Sequence, residues 1–157
     1  MKSKSFRIII DLLVVILGIV FLVFGIKDTI KSFSQPTIED NIKFSKSYTN
    51  VPTNNIYKYV ESIDEIEDEN NTVIFVGNPK DEWSQVLACV LFDVLNDKYN
   101  IIYYLEEYDS SIPNLIILKN GKQSIYKKND LIEPNYKEAP IDYWTDERKL
   151  NLLKLFD

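Results

Sequence analysis

Thr72-Val73-Ile74-Phe75-Val76-Gly77-Asn78-Pro79 is an apolar run of strand-forming residues that breaks at a glycine and a proline two positions apart. A helix is expected to start at Asp81. The apolar residues Trp83, Val86, Leu87, Val90, Leu91, Val94 and Leu95 then fall at i, i+3, i+4, i+7, i+8, i+11 and i+12, which is one buried helix face. Two more apolar runs follow, Ile101–Leu105 and Ile112–Leu118, and then the turn Lys119-Asn120-Gly121-Lys122. The stretch from Thr72 to Lys122 thus reads as strand, helix, strand, strand and turn, the alternation of an α/β fold.

Working outward, the 157-residue chain is long enough for one globular domain of roughly 100 residues plus an appendage. Apolar residues make up 45% and charged residues 27%, so most of the chain is expected to fold. The charge is unevenly placed: residues 1–26 hold Lys2, Lys4 and Arg7 against Asp11, while the remainder carries 15 basic and 23 acidic groups. An acidic body without a dense basic patch argues against nucleic-acid binding, where neutralising phosphate dominates affinity. The chain has no histidine, so the usual near-neutral proton carrier and commonest metal ligand is missing. Cys89 is the only cysteine, which rules out an intramolecular disulfide and any paired-cysteine chemistry. Neither a cofactor nor a metal is expected.

Ile8 to Ile26 form 19 residues interrupted only by Asp11. At about 1.5 Å per residue this helix would cover close to the roughly 30 Å of bilayer hydrocarbon. Asp11 follows Arg7 by four positions, so the two can pair near the headgroups. The stretch is expected to be an uncleaved membrane anchor. The competing reading is a cleaved signal peptide with a weak small-x-small site at Ser32-Phe33-Ser34, but the apolar run is long for a signal core. Lys2, Lys4 and Arg7 favour a cytoplasmic N-terminus, which places the acidic body outside the cytoplasm. The expected organisation is a cytoplasmic N-terminus over 1–7, a transmembrane helix over 8–26, a linker over 27–41 and a domain over 42–157. The lipid bilayer is then the first partner.

Within the domain, the alternation Ile42-Lys43-Phe44-Ser45-Lys46 predicts a first edge strand. Thr53 or Asn54 is expected to cap a helix carrying Ile56, Tyr59, Val60, Ile63 and Ile66 on one face. The acidic residues at its end, Glu61 to Glu69, read as a solvated face and not a calcium site, since the loop spacing and turn glycine are absent. Gln123–Tyr126 predicts a last strand and 127–140 an irregular loop. Thr145 is expected to cap a final helix, with Asp146 and Glu147 in its first turn and Leu150, Leu153 and Phe156 inward.

The order of these elements resembles the thioredoxin fold: a strand, the Gly77-Asn78-Pro79 break, a long helix, then Ile112-Pro113-Asn114-Leu115 ahead of Lys119-Asn120-Gly121-Lys122. Among thioredoxin-like families, the chain is most similar to the membrane-associated bacteriocin transport accessory proteins, over roughly Ile42 to Asp157. The resemblance implies a mixed sheet with flanking helices and a cis peptide bond before Pro113. It also implies a Gly-x-Pro-x-Cys-Pro-x-Cys motif, and at the two sulfur positions this chain has Asp81 and Ser84. A helix N-terminus stabilises negative charge and so depresses a cysteine pKa; Asp81 puts a fixed carboxylate there and can cap the free amides. Where many thioredoxins hold a buried acid, this chain has Phe75.

What the resemblance leaves is a groove for an extended peptide, floored by Trp83, Ile112 and Pro113 and edged by Asp81, Glu82 and Ser84. The implied function is a membrane-anchored, non-catalytic accessory domain for a peptide or a membrane-protein partner. Three alternatives accompany it. Asp81 and Ser84 could be an acid and a nucleophile, although the chain has no His base and the adjacent Lys80 reads as a solvated surface lysine, so a cap is the expected role. Cys89 could act with a second protein's thiol, although its apolar neighbours Val86, Val90 and Phe92 predict a buried structural thiol of raised pKa. The domain could instead be a small structural subunit of a membrane assembly. Finally, only Glu106 to Ser111 separate the second and third strands, too few for a helical crossover, so those strands could form a plain hairpin.

Overall fold

The computed structural model describes residues 35–66, 71–109 and 111–157, together with Ile16 and Ile19. The expected cytoplasmic N-terminus and transmembrane helix otherwise lie outside the described residues, among which no helix is long and apolar enough to cross a membrane.

Pro36–Asp157 form one folded unit. Its elements are α1 (Ile38–Ser47), β1 (Tyr57–Val60), a 3-10 turn (Ile63–Glu65), β2 (Thr72–Gly77), α2 (Glu82–Leu95), β3 (Ile102–Glu106), β4 (Asn114–Lys119), β5 (Lys122–Tyr126), α3 (Lys128–Leu131), α4 (Pro140–Tyr143), α5 (Asp146–Leu153) and a closing 3-10 turn (Lys154–Phe156). The five strands form one mixed sheet in the order β1-β3-β2-β4-β5. β3 runs parallel to both β1 and β2, while β4 is antiparallel to β2 and β5. The hairpin alternative is therefore overturned: β2 lies between β3 and β4, and the short connection spans it without a helix.

Phe75 alternates with Ile74 and Val76 along β2, so it faces one side of the sheet and they face the other. On Phe75's side the core takes in Phe44, Leu87, Leu91, Leu95, Tyr143, Leu152 and Phe156 from the helices and the final turn, with Tyr57, Tyr104, Leu115 and Ile117 from the strands. The opposite cluster is smaller and holds no residue from a helix: Val60, Ile74, Val76 and Ile116 from strands, with Ile66 and Ile112 from connections. β4 and β5 join through Asn120 and Gly121, both at positive φ (52° and 70°), the conformation a two-residue hairpin turn requires.

Several expectations fail locally. The edge strand over Ile42–Lys46 is the helix α1, which begins inside the expected linker. Thr37 caps it in a reciprocal box, accepting from the Asp40 amide at 3.1 Å while the Asp40 carboxylate accepts from the Thr37 amide at 2.9 Å. The helix predicted after Thr53 or Asn54 is the strand β1 followed by a single 3-10 turn. Asn55 sets this entry: its Nδ2 donates to the Asn41 carbonyl, and its Oδ1 accepts from the Tyr57 amide at 3.0 Å. The loop over 127–140 contains α3 and leads into α4. α5 starts at its Thr145 cap as expected, but Leu150 is 59% exposed, and Leu152 fills the inward position instead.

Candidate functional site

The candidate site is the start of α2, where a run of hydrogen bonds links Asp81, Ser84, Asn78 and Lys80. Asp81 is the N-cap: its Oδ2 accepts from the Ser84 amide at 2.7 Å and from the Ser84 hydroxyl at 2.9 Å. Ser84 Oγ accepts in turn from the Asn78 amide at 3.2 Å, and Asn78 Oδ1 accepts from the Lys80 amide at 2.8 Å. Gln85 Nε2 donates to the Pro79 carbonyl at 2.6 Å and to the Ser47 carbonyl at 2.7 Å, pinning the turn to the end of α1. From α3, Lys128 Nζ lies 3.5 Å from Asp81 Oδ1.

In this arrangement the hydroxyl of Ser84 is in no position to attack a substrate. Although a carboxylate within hydrogen-bond reach could take its proton, Ser84 is fully buried. Glu82, one position into the helix, is exposed.

The Ile112–Pro113 peptide bond is cis, as the resemblance implied. Val76 pairs with Asn114 in antiparallel register, which carries Pro113 to the position across from Gly77, where the chain leaves β2 for the α2 turn. The expected groove floor is divided, however. Ile112 is buried in the cluster on the strand-only face of the sheet, and Pro113 is fully buried as well. Trp83 packs against the helix-side cluster, edge-on to the rings of Tyr143 at 5.6 Å and Tyr136 at 6.0 Å. A recess of about 130 Å³ beside Trp83 is walled by Lys128, Ile132, Pro134 and Tyr136, all from the segment after β5. Sequence reasoning missed these residues because that segment carries no periodic pattern; its tyrosines and prolines were the available signal.

Behind the site, Phe75 sits in a closed aromatic cage. Phe75 is fully buried, stacked on Tyr104 at 5.7 Å and edge-on to Tyr48 at 5.8 Å and Tyr57 at 6.1 Å. Tyr48 donates its hydroxyl to the Tyr104 hydroxyl at 3.1 Å, and Tyr104 donates to the Gly77 carbonyl at 3.4 Å. Burial pushes the ionisation of Tyr48, Tyr57 and Tyr104 upward, so all three stay protonated well into alkaline solution. Any larger residue at Gly77 would force its neighbours to shift, since a Cβ would lie 2.5 Å from Phe75 Cζ and 2.9 Å from the Tyr48 hydroxyl.

Cys89 is half-buried on α2, and burial, with the Asp93 carboxylate adding to it, pushes its thiol up. Among the described residues, no group of three or more His, Cys, Asp or Glu side chains is arranged to hold a metal ion. No family model and no curated protein matches the sequence.

Proposed function

We propose that this chain is a membrane-anchored, thioredoxin-like domain that binds a peptide or a membrane-protein partner without catalysing a redox step. The strand order, the α2 crossover and the cis bond before Pro113 support the thioredoxin-like reading. The observation that carries the loss of chemistry is the pairing of Asp81 with Ser84, at the two positions where the resemblance puts the sulfurs. A carboxylate that caps the helix keeps its start intact while leaving nothing there to be oxidised or reduced.

In this reading the run from Ile8 to Ile26 is the anchor, with the N-terminus in the cytoplasm and the acidic body outside. The partner is an extended segment received beside Asp81, Glu82 and Trp83, where main-chain pairing supplies affinity and the recess beside Trp83 supplies selectivity. Co-purification from membranes in mild detergent tests it, comparing the unaltered chain with Trp83→Ala and Asp81→Lys variants. Loss of the same partner from both variants supports the reading, and undiminished recovery with both rejects it.

A further inference from the structure

β5 is an outer strand of the sheet, with β4 on one side and, among the described residues, no strand on the other. Lys119 and Lys122 close the two-residue turn as a hydrogen-bonded pair, and Ile117 with Ser124 and Leu115 with Tyr126 follow in the same alternation. The N–H and C=O groups of Gln123 and Ile125 therefore point away from β4. They have no main-chain partner among the described residues, and Lys122 to Ile125 are all exposed. On the strand-only face, the cross-strand row Ile74, Ile116, Ile125 runs from full burial at the centre to 54% exposure at this edge. The charge here is opposite to that of the chain: residues 119–128 hold four lysines and no carboxylate, against a net charge of -6. Lys119 donates to the main-chain carbonyls of Phe156 and Asp157, and Lys128 is paired with Asp81. Lys122 and Lys127 are exposed and have no ion-pair partner among the described residues. Lys122 also stands directly opposite Lys119, where like charges cost stability.

We infer that the β5 edge takes up an extended acidic segment of a partner protein as a sixth strand. The partner's main chain bonds to Gln123 and Ile125, and its side chains alternate between the two faces of the sheet. Carboxylates on one face meet Lys122, and apolar side chains on the other continue the row past Ile125. Edge lysines discourage pairing with a second copy, because a two-fold pair would bring both sets of lysines together. They leave the same main chain open to a strand of opposite charge. The inference stands on this edge alone and does not depend on the reading of the α2 start.

Calorimetric titration of the full chain in a non-ionic detergent, with the capped hexapeptide Glu-Val-Glu-Val-Glu-Val as probe, should give saturable binding. Lys122→Glu should weaken it about tenfold or more, since an attractive charge becomes a repulsive one. The same substitution sets a carboxylate opposite Lys119, so the denaturant midpoint should hold or rise while binding falls. Gln123→Pro removes an outward donor at an edge position without changing charge, and should weaken binding independently of Lys122. Saturation by the acidic peptide that fails with Lys-Val-Lys-Val-Lys-Val, and with the acidic peptide N-methylated at alternate amides, supports the inference. Absence of saturation, equal binding of either control peptide, or undiminished binding after either substitution overturns it. So does sedimentation showing that the chain pairs with itself through this edge and takes no peptide.

Discussion

The Ser84 hydroxyl donates to Asp81 Oδ2 at 2.9 Å, and the Ser84 amide donates to the same oxygen at 2.7 Å, so a single carboxylate oxygen holds both polar groups of the residue three positions on. Removing that oxygen leaves the helix amide and a buried hydroxyl without their acceptor. Asp81→Ala should therefore cost about 0.5–2 kcal/mol, the usual range for losing an N-cap. Asp81→Asn keeps an acceptor at the cap but gives up the negative charge, and with it the attraction to the helix N-terminus and the 3.5 Å contact with Lys128. Denaturant unfolding of the full chain in mild detergent should rank the variants Asp81→Ala below Asp81→Asn below the unaltered protein.

That cap was legible because it is local: an acceptor at the N-cap and a serine three residues later are set by helix geometry alone. The β2-α2-β3 unit was legible for a related reason, since its apolar runs are long and each keeps one period. α1 and β1 were not. Ile42-Lys43-Phe44-Ser45-Lys46 alternates, yet Phe44 is the one buried residue of α1, and Ile42 is 42% exposed; the Thr37–Asp40 cap was the decisive signal. Around β1 the apolar spacing imitates a helix, and what overrides it is parallel pairing with β3, a partner far along the chain. Lys128 and Tyr136 reach the site only because the segment after β5 folds back over α2, a tertiary fact with no local signature.

Gly77 and Phe75 set the second prediction. A methyl group at position 77 meets the buried Phe75 ring and the Tyr48 hydroxyl, neither of which has room to retreat inside the cage. Gly77→Ala should cost about 1–3 kcal/mol by overpacking, and Phe75→Ala about 3–5 kcal/mol by leaving a cavity. Combining Gly77→Ala with Phe75→Leu should recover part of the first loss, and a double-mutant cycle on unfolding free energies measures the coupling.

Tyr48, Tyr57 and Tyr104 predict an alkaline limit to stability. Their folded pKa values are raised by burial, so the folded state holds its protons longer than the unfolded chain does. Below the unfolded value of about 10 both states are protonated and the contribution is fully present; above it only the unfolded chain releases protons, and stability falls as pH rises. Melting temperature recorded from pH 8 upward, a window beginning about two units below that value, should be flat and then decline. Tyr48→Phe should make the decline shallower, and an unchanged slope would remove Tyr48 as a source of it.

Cys89 yields the test that separates a binding domain from an oxidoreductase. Burial, followed by the Asp93 carboxylate, raises its thiol pKa, and only the thiolate attacks a disulfide or an alkylating reagent. In the folded protein Cys89 should react with iodoacetamide more slowly than free cysteine at the same pH, and denaturant should bring the two rates together. The complementary experiment puts sulfur back: Asp81→Cys with Ser84→Cys, in a Cys89→Ala background, places two thiols at the start of α2. The helix N-terminus should hold the first of them below the ordinary value of about 8.5, and the pair should close to a disulfide under mild oxidation. Two thiols that titrate normally and stay reduced would show that the α2 start is not a thioredoxin-like redox scaffold at all, and the thioredoxin-like reading proposed above would fail with it.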